Sequence, residues 1–258
     1  MPLVLGAVFC TKHLPIFCLA VLSFAVGLAE LRRLGGGGNS VGTVLAALLG
    51  VASLSGALVL FCSYSTVPVA VWALVCLSAL GSLAARAHVQ RRGGAAAFAV
   101  ASFWIAAPLC AVQALHSLDA SANDVWSLRN SLLLLFLPLW AGDTAAILVG
   151  KAWGRRPLAR SISPNKTVEG AIANLAACIA LGWGTAAWLG KAPSVGILCG
   201  LVCGLLGQVG DLFESYLKRI ADVKDSGGLL PGHGGILDRI DSLLFAAPVV
   251  LLFLTYLR

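Results

Sequence analysis

Residues 168–211 read VEGAIANLAACIALGWGTAAWLGKAPSVGILCGLVCGLLGQVGD. Two long apolar runs flank one polar break, Gly190-Lys191-Ala192-Pro193. Each run approaches the roughly 20 residues that a helix needs to cross about 30 Å of hydrocarbon. Only helices and closed barrels satisfy their backbone groups in lipid, and these runs are too long and too evenly apolar for barrel strands. This pair covers 168–190 and 194–213, and the pattern recurs near 14–31, 41–62, 67–85, 95–116, 131–150 and 242–257. The expected fold is all-α: a polytopic membrane bundle of about eight transmembrane helices. Gly196, Gly200 and Gly204 recur every four residues, a spacing that suits close helix packing.

Composition agrees. Of 258 residues, 59% are hydrophobic and 11% charged, whereas a soluble domain has about 45–50% and about 25%. An ordinary soluble domain, a disordered chain and a secreted disulfide scaffold are excluded. The eight cysteines sit in apolar stretches, form no Cys-x-x-Cys, and read as small buried hydrophobes. Residues 1–12 lack a basic flank and read as a short apolar stub rather than a signal peptide. Bulky Phe9 before Cys10 argues against a lipoprotein.

The net charge of +7 has a sidedness. Alternate loops, starting after the first span, hold Arg32 and Arg33, then Arg86, Arg91 and Arg92. Next come Lys151, Arg155, Arg156, Arg160 and Lys166, and then Lys218, Arg219, Lys224 and Arg239. Those loops carry 14 of the 18 basic residues; the other side has Lys12, Arg129, Lys191 and Arg258. By the positive-inside rule the first set is cytoplasmic, and the protein is expected as a multi-pass protein of the cell membrane. No basic helix interleaved with aromatics occurs, so the partner of this charge is anionic lipid and not nucleic acid. The two longest polar loops, 151–167 and 214–241, share the cytoplasmic side. The expected organisation is a scaffold of about four spans over 1–130 and a catalytic membrane domain over 131–258.

The acidic residues point to chemistry. Eight of eleven lie at 143, 169 and between 211 and 241. A carboxylate at a span's centre costs roughly 2.5–3.5 kcal/mol on insertion scales, so Asp143 and Asp211 need a partner. On a continuous helix Asp211, Glu214, Ser215 and Lys218 share a face, as do Asp238 and Asp241 on the last span. Two acidic faces can converge on a divalent cation, and all-oxygen ligation suits Mg2+ rather than zinc. Between them runs Pro231-Gly232-His233-Gly234-Gly235, a backbone able to approach an anion closely. Carboxylates, basic residues and a Gly-rich turn together compose a phosphate–metal site. A second phosphate-like stretch, Ser161 to Gly170, contains Pro164, which breaks any helix, and Ser163 or Thr167 as a cap for the next span. It is not a Walker A loop.

Ser215 to Asp241 reads SYLKRIADVKDSGGLLPGHGGILDRID. This resembles the signature of the phosphatidate cytidylyltransferases, or CDP-diacylglycerol synthases. Gly142-Asp143-Thr144-Ala145 and Ser163 to Gly170 are similar to that family's other polar motifs. The resemblance covers about 140–245; the first half matches only as apolar spans. It implies CTP + phosphatidic acid → CDP-diacylglycerol + pyrophosphate, dependence on Mg2+ with or without a second, monovalent cation, and a homodimer. It also implies roles. Asp211, Asp238 and Asp241 would bind the metal, and Lys218, Arg219 and Arg239 would hold phosphates. Asp143, Ser163, Lys166 and Lys224 would bind CTP. His233, Gly234 and Gly235 would shape the phosphate-facing turn, with His233 as structural element or general acid.

Two other functions fit an acidic membrane helix. A CTP-dependent polyprenol or phytol kinase would release CDP. An ion-coupled transporter would spread its carboxylates through both halves, yet the first half has only Glu30, Asp119 and Asp124.

Overall fold

The computed structural model describes residues 6, 10, 13–36, 40–63, 68–90, 95–118, 129–227 and 234–256. Helices α1 (His13–Leu34), α2 (Ser40–Ser63) and α3 (Pro68–Val89) precede α4 (Ala95–Ala101) and α5 (Phe103–Ser117). After α6 (Leu133–Trp153) comes a hairpin of β1 (Pro157–Ala159) and β2 (Ser163–Thr167), then α7 (Val168–Trp188), α8 (Pro193–Ile220) and α9 (Leu237–Tyr256). A helix or helix pair stands at each of the eight expected spans. Among the described residues six stretches are long and apolar enough to cross a membrane: His13–Leu34, Val71–Val89, Ala95–Ser117, Leu133–Trp153, Val168–Trp188 and Pro193–Ile220. Val41–Ala57 is a shorter apolar helix. Leu48, Leu83, Leu148, Ile172 and Trp183 point outward, which suits hydrocarbon as the surrounding solvent. The chain is a multi-pass membrane protein.

Glycine sets how closely the helices approach. A Cβ on Gly182 would collide with the Gly196 carbonyl, and one on Gly200 with the Cys178 carbonyl. At Gly204 it would sit 3.0 Å from the Leu175 Cα. α7 and α8 therefore run antiparallel with backbone against backbone. Small residues stabilise helix pairs in lipid because van der Waals packing, not water exclusion, holds them. Gly142 of α6 likewise has no room for a Cβ beside Cys178 and Asn174 of α7. α8 packs in turn on α9.

The most enclosed element is α5, which packs against α1, α2, α3 and α9. Trp104 on α5 is fully buried and meets Phe213 of α8 edge-to-face at 5.3 Å. This joins the first half of the chain to the second. Arg86 of α3 lies over the Tyr216 ring of α8, 5.6 Å from its centroid. His116 holds the Cys10 carbonyl at 2.7 Å.

The hairpin is an addition to the all-α expectation. Pro157 pairs with Thr167 and Ala159 with Ser163, antiparallel. Its sequence is polar and carries Pro164, so it lacks the alternation that marks a strand. It folds back because Glu169, in the first turn of α7, accepts the Arg155 and Arg156 backbone N–H groups at 3.1 and 3.3 Å.

Candidate active site

Helices α6 to α9 alternate in direction. The ends of α6 and α8 therefore meet the starts of α7 and α9, and the hairpin lies across that end. A cavity of about 560 Å³ opens there. Its walls carry Asp143 from α6, Ser163 and Lys166 from β2, Asp211 from α8, and Asp238, Arg239 and Asp241 from α9. Seven residues that the sequence proposed from four separate stretches thus come together.

Lys166 forms an ion pair with Asp211. Asp143, Asp211 and Asp241 lie close enough to repel one another, with Lys166 as the cation that offsets them. Asp143 accepts from the Asn174 amide at 3.4 Å, and Asn174 accepts from Gln208 at 3.3 Å. Gln208 also donates to the Gly204 carbonyl at 2.6 Å. Asn174 and Gln208 line the same cavity and were missed in the sequence. The signal was present, since a primary amide inside an apolar span needs a partner. Thr167 caps α7 by accepting from the Gly170 N–H at 3.1 Å. That cap sets where β2, with Lys166, leaves the helix.

Asp238 is held from all sides. Its Oδ1 takes the Lys218 ammonium at 2.6 Å. Its Oδ2 accepts from Gly235 N–H at 2.7 Å, from the Ser226 hydroxyl at 3.0 Å and from Ser226 N–H at 3.3 Å. Lys218 also pairs with Glu214 at 2.6 Å, and Glu214 is 1% exposed. Lys218 thus stands behind Asp238, away from the cavity wall. Arg219 donates to the carbonyls of Ile162 at 3.1 Å and Val223 at 3.4 Å, tying the hairpin tip to α8. Lys224 is exposed and does not line the cavity. Gly234 adopts a left-handed φ of 76°, and a Cβ there would lie 2.9 Å from Asp238 Oδ2. The Gly235 N–H, expected to face an anion, serves Asp238. His233, Pro231 and Gly232 lie outside the described residues.

The donor set is all oxygen, which fits Mg2+. Among the described residues no three His, Cys, Asp or Glu side chains form a ready cage. Mg2+ commonly takes only one or two carboxylates and completes its shell with water and phosphate. Four carboxylates line the cavity: Asp143, Asp211, Asp238 and Asp241. Asp238, expected as a ligand, has both oxygens engaged.

A family model described as the cytidylyltransferase family matches residues 1–257. A phosphatidate cytidylyltransferase of Synechocystis is 46% identical over 128 residues, 48% of this chain and 43% of that protein. One from Staphylococcus aureus is 46% identical over 121 residues, 46% of each chain. One from Bacillus subtilis is 48% identical over 112 residues, 43% of this chain and 42% of that protein. The match spans a little under half the length of these curated relatives.

Proposed function

The chain belongs to the cytidylyltransferase family, and from that premise we propose that it is a phosphatidate cytidylyltransferase. The reaction is CTP + phosphatidic acid → CDP-diacylglycerol + pyrophosphate. The observation that carries this reading is the cavity in which Asp143, Lys166, Asp211, Arg239 and Asp241 converge at one end of the membrane helices. The relatives' names support the substrates.

An oxygen of the lipid phosphate monoester attacks the α-phosphorus of CTP. The bond from that phosphorus to the bridging oxygen of the β-phosphate breaks, and pyrophosphate leaves. No protein nucleophile is needed, so the residues act by positioning and by charge. Lys166 and Arg239 hold phosphoryl oxygens. Asp143, oriented by Asn174, fixes CTP. Asp211 and Asp241 hold Mg2+, which when bound neutralises charge on the phosphoryl oxygens. Lys218 acts through Asp238, whose orientation it sets. Arg219 keeps the hairpin in place.

A water-soluble nucleotide meets a bilayer lipid only at a membrane surface. The excess of basic residues in the loops on this side supports the cytoplasmic face. The homodimer implied by the resemblance is part of the same reading, and light scattering in detergent is expected to give twice the protomer mass.

The test is product analysis with purified protein, phosphatidic acid, Mg2+ and α-labelled CTP. Label is expected in the lipid phase, with loss on adding EDTA. Label left in water as CDP would support the lipid kinase instead.

A further inference from the structure

Glu30 lies near the end of α1 and is 2% exposed. Its carboxylate reaches α9, more than two hundred residues later. Oε1 accepts the Ile236 N–H at 2.9 Å and Oε2 accepts the Leu237 N–H at 2.9 Å. The Ser226 hydroxyl is 3.1 Å from Glu30 Oε2 and 3.0 Å from Asp238 Oδ2. Its single proton serves one carboxylate at a time.

The first N–H groups of a helix have no partner within it. A cap usually comes from a Ser, Thr, Asp or Asn beside them. The preceding residues, Gly234, Gly235 and Ile236, offer no such side chain. The cap is supplied by another helix instead. Two glycines make room for it. A Cβ on Gly235 would lie 2.6 Å from Glu30 Oε2, and one on Gly227 would lie 2.9 Å from Glu30 Cδ. Carboxylate-to-amide bonds are charge-assisted, and the positive end of the helix favours an anion there. The turn so held carries Asp238, Arg239 and Asp241 to the cavity.

We propose that Glu30 is a positioning residue for the transfer reaction: from α1 it fixes the first turn of α9 and so places Asp238, Arg239 and Asp241. This rests on the function proposed above. Gln at this position would present an NH2 group that cannot accept, leaving one of the two amides facing a donor.

The experiment compares the full-length protein in detergent with Glu30→Gln and Glu30→Asp. It reads hydrogen–deuterium exchange at Ile236 and Leu237, equilibrium binding of CTP, and the kinetics of label transfer to phosphatidate. For Glu30→Gln we expect at least tenfold faster exchange at those two amides with α6 to α8 unchanged. CTP binding should weaken at least fivefold, with KM for CTP raised to match. Glu30→Asp keeps the charge on a shorter arm and should shift the same readings by less. If Glu30→Gln does not survive extraction, Glu30→Asp decides. Unchanged exchange at Ile236 and Leu237 would overturn the proposal. So would CTP affinity and KM that stay unchanged while only the yield of folded protein falls. An unaltered protein that moves no label into lipid overturns the reaction, whereas the exchange result still decides the role of Glu30.

Discussion

Lys166 and Lys218 are two lysines with different tasks. Lys166 lines the open cavity against Asp211, so a phosphate can take its place as partner. Lys166→Ala is expected to raise KM for CTP at least tenfold while the protein stays folded, as read by steady-state kinetics and thermal unfolding. Lys218 is 13% exposed and serves two carboxylates, Glu214 and Asp238. Removing one partner of a buried pair costs about 3–5 kcal/mol. Lys218→Met should therefore lower the thermal midpoint as well as activity, and an unchanged midpoint would sink this reading. The charged residues that gather at the cavity were legible because they break apolar spans or stand in a dense polar motif, whereas the amides Asn174 and Gln208 were passed over. Glu30 was not. Nothing near it in the chain marks its partner, which is the backbone of another helix.

At the scale of elements, the α7–α8 contact and the start of α9 carry the site. Gly200→Leu would drive a side chain into the backbone of α7 at Cys178. Loss of detergent-stable protein is expected, measured by size-exclusion profile. Gly234→Ala introduces a Cβ at a left-handed position, where an L-residue costs about 1–2 kcal/mol, and against Asp238. Turnover should fall with expression retained. The spans were legible from length and hydropathy alone, since lipid demands about 20 apolar residues per crossing. The hairpin was not, because its five-residue polar strand carries Pro164 and lacks an alternating pattern, and Glu169 holds the Arg155 and Arg156 N–H groups that lead into it.

At the scale of the whole molecule, the cavity carries Lys151, Lys166 and Arg239, which belong to the loops that the charge count assigns to the cytoplasm. Arg160→Cys, in the hairpin, should react with a membrane-impermeant maleimide only from the cytoplasmic side; labelling from the outside would reverse the topology. We propose a scaffold half and a catalytic half, and α5 packs on α9 across that division. The central claim is that this cavity transfers the cytidylyl group through Asp211. The direct measurement is the ratio of pyrophosphate released to α-label entering lipid, for the unaltered protein and for Asp211→Asn. The account predicts one pyrophosphate per labelled lipid, and at least a hundredfold loss of both in a folded Asp211→Asn variant. Release of CDP without lipid label, or near-normal turnover by Asp211→Asn, would contradict it.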